Sequence, residues 1–500
     1  MLLLTIDRDG AVPIYKQIYE RVLGLVDSGA LAPGDRLPPS RVLARSVGVH
    51  RSTVLRAYDE LWALGYLESR QGSYSTVRRR ARPLPTTVPG SGAGRTRPGA
   101  GALIDWERAV VPAARAARIE TLRLGQERSN DPAVIDFARL SADPALAPSA
   151  DIRHCLRNVL VREGGQALDY GDPIGHRPLR EFIANRMRAH GVAVSAEEIL
   201  ITAGAQHGLD LVLRMLARPG DLAALESPTY AMAIALFRFQ SLRLLEIPMR
   251  ADGMDLEALE KKIRRARPLL VHTIPTFHNP TGTTTAQAHR ERLLAVCEAH
   301  RVPIVEDGFE EEMKYFGKAI LPIKSMDAQG IVIYLGTFSK VVFPGMRLGW
   351  IAAPRAAVER LGALQRLSSL SGNTLAQAAA ARFCASGMYE MHLRRVHKVY
   401  RGRMQAMLRG MREQMPEGVE WTEPAGGYTL WLRLRGSKAD EQALCRRILK
   451  AGVKVLSGSL FFPRPQAEPH FRLSIACVGE EEILEGCRRL GRALAEAAAT

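Results

Sequence analysis

The sequence predicts a multidomain chain: a small α+β head over residues 1–77, a linker over 78–121, and a large α/β body over 122–500. Three observations predict it. Apolar residues recur at helical spacing as far as Leu64 and then give way to a short run of β-branched and turn residues. An Arg-led, Pro- and Gly-rich stretch follows that cannot build a core. Beyond Ile135, short apolar runs alternate with amphipathic stretches, the pattern of a mostly parallel sheet covered on both faces. A chain of 500 residues is also too long for one ordinary core.

Each element follows in order. A first helix starts after Pro13 and carries Ile14, Ile18, Val22 and Leu25 on one face; Gly29 and Pro33-Gly34 break it. Ser40 stands where an N-cap is expected, before a short helix with Val42, Leu43 and Ala44. After the turn Ser46-Val47-Gly48-Val49, a second helix is expected from about His50 to Leu64, with Val54, Leu55, Tyr58, Leu61 and Trp62 inward. Gly65-Tyr66-Leu67 ends it, and Glu68–Val77 reads as a small hairpin. The linker opens with Arg78, Arg79, Arg80 and Arg82 and continues through Pro83, Pro85, Pro89, Gly90, Gly92 and Gly94. In the body, Ile199–Thr202, Leu269–His272, Val302–Val305 and Ile331–Tyr334 are expected strands.

Composition narrows the class. Hydrophobic content of 46% with 24% charged residues describes a soluble globular protein, and no apolar run reaches the roughly 18–20 residues of a membrane span. Leu2–Leu4 meet Asp7, Arg8 and Asp9 at once, so no signal peptide is expected, and a cytoplasmic protein without a membrane partner is. The six cysteines are scattered without CxxC pairs, which predicts buried small hydrophobes and no metal site. A net charge of +17 suits a polyanionic partner, and it equally suits a genome that prefers Arg.

The string Pro13-Ile14-Tyr15, Gly29 to Arg41, Gly48 to Val54 and Gly65-Tyr66-Leu67 resembles the winged helix-turn-helix of the GntR family. The resemblance implies that double-stranded operator DNA is the partner. A helix entering the major groove needs short polar and Arg side chains in its first turns, and His50, Arg51, Ser52, Thr53 and Arg56 stand there. Arg41 matches the family's base- or phosphate-contacting arginine. The wing tip departs: where the family has Gly-Ser-Gly, this chain has Gly72-Ser73-Tyr74, with Gly72 still allowing close backbone approach to DNA.

The body resembles fold-type-I aminotransferases, and the resemblance implies pyridoxal 5'-phosphate as cofactor. Lys340, in Gly336-Thr337-Phe338-Ser339-Lys340, matches the lysine that forms the Schiff base. Thr337 and Arg347 match phosphate ligands. Ala205 and Gln206 open a helix whose free N–H groups suit the same phosphate. Asp307, at the end of an expected strand, matches the pyridinium partner, and Asn279 the donor to the phenolic oxygen. Tyr230 matches the ring-stacking aromatic, and Tyr170 a tyrosine that reaches the phosphate of a second subunit, which implies a homodimer. Arg472 matches the arginine that clamps a substrate or effector carboxylate.

Both halves in this order resemble the MocR/GabR subfamily of GntR regulators. That resemblance implies a transcription regulator sensing the cofactor, or an amino compound bound to it, through an internal or external aldimine. A working aminotransferase with an accessory DNA-binding head is the alternative, and a purely structural cofactor a third reading. Phe309 counts against turnover: the family pattern Asp-x-Tyr is Asp307-Gly308-Phe309 here, and the phenol that donates to the cofactor is missing. The chain is therefore expected to bind amino compounds but to transaminate poorly.

Overall fold

A computed structural model describes residues 4–8, 12–68, 74–78, 109–112, 131–318, 320–342 and 344–498. The chain divides into two compact units, Met1–Ala102 and Leu103–Thr500.

In the first unit, α1 (Ile14–Asp27), α2 (Ser40–Val47) and α3 (Arg51–Ala63) precede an antiparallel pair, β1 (Leu67–Glu68) with β2 (Thr76–Val77). Ile18 and Val22, four residues apart and so on one helix face, are fully buried with Leu43, Val54, Ala57 and Leu61. α2 ends at Gly48, whose φ of 67° costs glycine nothing. The Arg8 guanidinium donates to the carbonyls of Val47 and Gly48 at 3.3 and 3.0 Å, covering acceptors that a helix end leaves open.

Two expectations need correction here. Ser40 is the first residue of α2 and Pro39 precedes it, with no side-chain cap; Ser40 Oγ instead accepts a hydrogen bond from Arg51 Nε at 3.3 Å. Leu55 and Trp62 face outward, 38% and 60% exposed. At about 100° per residue they fall off the stripe formed by Val54, Ala57, Tyr58 and Leu61.

The strands of the second unit are β3 (Ile135–Asp136), β4 (Ile199–Thr202), β5 (Leu222–Ser227), β6 (Arg243–Arg250), β7 (Gly253–Met254), β8 (Leu270–Thr273) and β9 (Ile304–Asp307). They continue with β10 (Val332–Thr337), β11 (Gly349–Ala352), β12 (Val419–Trp421), β13 (Thr429–Leu434), β14 (Val453–Lys454), β15 (Leu456–Ser457) and β16 (His470–Ser474). The main sheet has the order β4-β11-β10-β9-β8-β5-β6-β7. Strands β10, β9, β8, β5 and β6 run parallel, as expected, while β11 runs antiparallel to both β10 and β4. β8, β9 and β10 are buried along their whole length, as strands covered on both faces must be. A second sheet, β12-β13-β16-β15, carries the C-terminal lobe, where the helix Met388–Gln414 packs along Glu480–Ala498. No helix among the described residues is long and apolar enough to cross a membrane.

This topology positions a site. The parallel strands β5, β8, β9 and β10 all end at one edge of the sheet, with Leu335 in register with Asp307. Ligands of open α/β sheets bind at such carboxyl ends.

Candidate functional site

Lys340 follows β10 in a tight turn, and its Nζ donates to the Leu140 carbonyl at 2.7 Å. Burial pushes the ammonium down; Glu310 acts against that shift, Arg472 adds to it, and Asp307 opposes it. A desolvated lysine gives up its proton more readily and is a better nucleophile. The Phe309 ring centroid lies 5.9 Å from Nζ, so an apolar ring occupies the place beside the amine.

Asp307 closes β9 and is buried, with one carboxylate oxygen lacking any partner in the structure. Burial pushes its carboxyl up to about 7, against the Phe309 backbone N–H and the Lys340 charge. Asn279 is 2% exposed and its Oδ1 is likewise unpartnered. Tyr230 sits immediately before the helix Ala231–Phe239, where burial first, and Asp307 second, push its phenol up to about 12.

Register brings the remaining groups together. Gly349 pairs with Thr202 on one side and with Thr337 on the other. That leaves Thr337, Arg347 and the start of the helix Ala205–Leu216 as neighbours. Gly204 precedes this helix at φ 103°, and a Cβ there would stand 3.1 Å from the Arg347 guanidinium. Glycine therefore admits the arginine, whose Nη2 donates to the Ala203 carbonyl at 2.6 Å. Thr337 Oγ1 accepts from the Ser339 N–H at 3.1 Å and donates to the Leu348 carbonyl at 3.1 Å. Gln206 Nε2 reaches the Met232 carbonyl at 3.4 Å. A helix N-terminus, hydroxyls and a guanidinium together make an anion cradle.

Arg472 lies on β16 opposite Trp431, is 3% exposed, and donates to the Ala138 carbonyl. Its Nε is unpartnered and its guanidinium stands 5.3 Å from the Phe461 ring centroid. Burial pulls its pKa down to about 10, with Glu310 opposing. Tyr170 is not brought into this cluster: it is 76% exposed and lines a hollow with Ser371–Thr374.

Sequence reasoning missed two features. Glu310 is 1% exposed; its Oε2 accepts from the Tyr428 N–H at 3.0 Å, while Oε1 has no partner. Nothing in the acidic run Glu310–Glu312 announces burial; the available signal was its position three residues beyond Asp307. Glu226 and His278 form a buried contact at 3.2 Å, with the Glu226 carboxylate also accepting from Thr273 Oγ1 at 2.6 Å and the Ile274 N–H at 3.0 Å. Burial would raise Glu226, but His278 and these bonds win and hold it below the usual carboxylate range. The pair ties the end of β5, just before Tyr230, to the turn that carries Asn279.

The geometry fits pyridoxal phosphate. Asp307 offers an unpartnered buried carboxylate oxygen to a ring N–H, and Asn279 is a buried amide whose Nδ2 can donate to the phenolic oxygen. Lys340 offers an amine whose proton burial loosens, and the Ala205–Thr337–Arg347 cradle a place for phosphate. Bound there, the cofactor supplies an aldehyde for amines and a ring that withdraws electrons.

In the head, Arg41, His50, Arg51, Ser52 and Arg56 are exposed on α2 and the start of α3, and Thr53 is half-buried. His50 also caps α3, its Nδ1 accepting from the Ser52 N–H at 3.4 Å. The Arg56 guanidinium lies 3.9 Å from the Tyr15 ring centroid, so it packs back on α1. Tyr74 is 49% exposed with Arg36 over its ring; Gly72 lies outside the described residues, as does most of the linker.

Fold and site together define a pyridoxal-phosphate aminotransferase body carrying a helix-turn-helix head. Residues 14–77 match the family of bacterial regulatory proteins, gntR family, and residues 141–490 match aminotransferase class I and II. The chain is 32% identical to the HTH-type transcriptional regulator TauR of Rhodobacter capsulatus, over 93% of each chain. It is 30% identical to the probable rhizopine catabolism regulatory protein MocR of Rhizobium meliloti, over 93% of this chain and 90% of that one. Among solved structures, a multiple substrate aminotransferase from Thermococcus profundus superposes with a TM-score of 0.74 at 33% identity, covering 79% of this chain and all of that one. The chain belongs to the MocR/GabR subfamily of GntR-type transcription regulators, and its body to the pyridoxal-phosphate-using aminotransferase class I and II family.

Proposed function

We propose that the protein acts as a homodimeric regulator which binds an operator through residues 1–77 and senses an amino compound, or the cofactor itself, through residues 122–500. The linker 78–121 carries the state of the body to the head. One observation carries this reading: a single chain holds both an exposed arginine-bearing helix and a half-buried Lys340 set among the buried Asp307 and Arg472. Lys340 takes the cofactor's aldehyde. Asp307 holds the ring nitrogen as a cation and Asn279 the phenolic oxygen, with Tyr230 against the ring. Ala205, Gln206, Thr337 and Arg347 hold the phosphate, and Arg472 takes the effector carboxylate.

Dimerisation is supported by apolar side chains left in solvent: Leu168 is 69%, Tyr170 76%, Leu367 87% and Leu370 55% exposed. Leu168 and Tyr170 share one hollow with the 369–375 turn, the surface from which Tyr170 would reach a partner's phosphate.

The test is one titration of the full chain with amino acids and with pyridoxal phosphate, following cofactor absorbance and operator binding together. Correlated changes support the reading. Turnover of amino acids at ordinary enzyme rates, of order 1–10³ per second, without any change in operator binding would favour an aminotransferase with an accessory head. Phe309→Tyr sharpens the comparison. Restoring the phenol should lower the pH at which the cofactor absorbance titrates, and speed transamination.

A further inference from the structure

An amino compound meets this site as a zwitterion, and Arg472 answers only its carboxylate. The ammonium must lose a proton before its nitrogen can attack an aldehyde carbon, and nothing assigned so far receives that proton. Glu310 has the required features. It lies three residues beyond Asp307, is 1% exposed, and is anchored through one oxygen by the Tyr428 N–H at 3.0 Å. Tyr428 in turn donates through its hydroxyl to the Lys340 carbonyl, so the carboxylate and the lysine hang on one residue. Gly427 makes the approach possible, since a Cβ there would fall 2.6 Å from Glu310 Oε2. The second oxygen, Oε1, is buried without a partner, a costly state for a carboxylate.

We propose that Glu310 docks the ammonium of an amino-acid effector whose carboxylate Arg472 holds, and takes its proton. The inference rests on the sensing function proposed above. The transfer balances: the N–H bond breaks, the electron pair stays on the effector nitrogen, and the proton passes to Oε1. A cationic ammonium and an anionic carboxylate become a neutral amine and a neutral acid. The groups whose charge acts on Glu310 are Lys340 beyond β10, Asp307 at the end of β9 and Arg472 on β16, and Glu310 in turn acts on the phenols of Tyr315 and Tyr428. Burial raises its carboxyl, with Asp307 adding and the two cations opposing, which makes it a competent acceptor near neutral pH. The role matters more in this chain than in one with a phenol at position 309. Without that donor the lysine–cofactor linkage keeps its own proton and is a poor acceptor.

The test uses the full chain loaded with pyridoxal phosphate and stopped-flow absorbance. The common L-amino acids serve as protonated amines, and methoxyamine as one already neutral at pH 7. Glu310→Gln should slow the amino-acid-dependent spectral change about tenfold or more and make it rise with pH. Its reaction with methoxyamine should stay within about twofold of wild type. Equal slowing of both amines marks a structural role and overturns the inference, as does slowing of neither. If Glu310→Gln fails to fold or to load cofactor, Glu310→Asp decides: it withdraws the anion by one methylene and must slow amino acids while sparing methoxyamine. A wild type that ignores every amino acid yet reacts with methoxyamine overturns the sensing function, and this inference with it.

Discussion

The head and the body use the same kinds of charged side chain in opposite settings. Arg41, Arg51 and Arg56 stand in solvent on α2 and α3, whereas Arg472 is 3% exposed and Lys340 sits against Leu140 and Phe309. Charges in water are screened over about 8–10 Å at ordinary salt and act as a sum over many phosphates. A buried charge is hardly screened, and it leaves its partner stranded when removed. Function should therefore decline by degrees in the head and abruptly in the body.

The largest effect is expected at Lys340. Lys340→Ala should abolish the yellow cofactor absorbance while circular dichroism stays that of a folded protein. A variant with normal absorbance would break the contrast at once. Next is Arg472→Ala, which should cost about 2–5 kcal/mol in amino-acid affinity, read by absorbance titration, with effector-free operator binding unchanged. Parallel loss of operator binding would show that Arg472 holds the fold instead.

Smaller, and graded, is Arg51→Ala in the head. It should weaken operator binding by about 1–3 kcal/mol if the arginine contacts a base edge, and binding of the wild type should fall steeply with salt. A flat salt dependence in a mobility-shift or anisotropy series would remove the distinction drawn for the head.

The smallest expected effect is a pH dependence in the cofactor-free protein. Asp307 titrates at about 7 in the folded state because burial disfavours its anion, against about 4 for a free aspartate. The folded state thus holds this proton more tightly than the unfolded one. Its contribution to stability is present below about pH 4 and is lost as pH rises to about 7. Asp307→Asn, always neutral, should raise the melting temperature by a few degrees at about pH 8 and by only about a third as much at about pH 5. An equal shift at both values would mean that Asp307 keeps its charge in the fold.

The same contrast separates what could be read early from what could not. The head's helices, its Gly48 turn and its exposed arginines follow from spacing within a few residues, and only the Ser40 cap and the facing of Leu55 and Trp62 came out differently. In the body the strands containing Ile199–Thr202 and Ile304–Asp307 were legible as apolar runs. The antiparallel course of β11 was not, because strand direction depends on which strands pair. Lys340, Asp307, Asn279 and Arg347 were singled out through local motifs, and their roles stay proposals. Glu310 was not, since its meaning comes from Tyr428, more than a hundred residues away.

The sequence by itself determined that the chain joins a helix-turn-helix head to an aminotransferase-like body, and it singled out the residue types proposed for a pyridoxal-phosphate site. Each is written in composition or in short-range spacing. The tertiary structure alone decided which charges lose their water. It left oxygens of Asn279, Asp307 and Glu310 without partners, set the carbonyls of Ala138 and Leu140 on Arg472 and Lys340, and tied Glu226 to His278. Desolvation depends on what packs around a group from distant parts of the chain, and no local pattern carries that information.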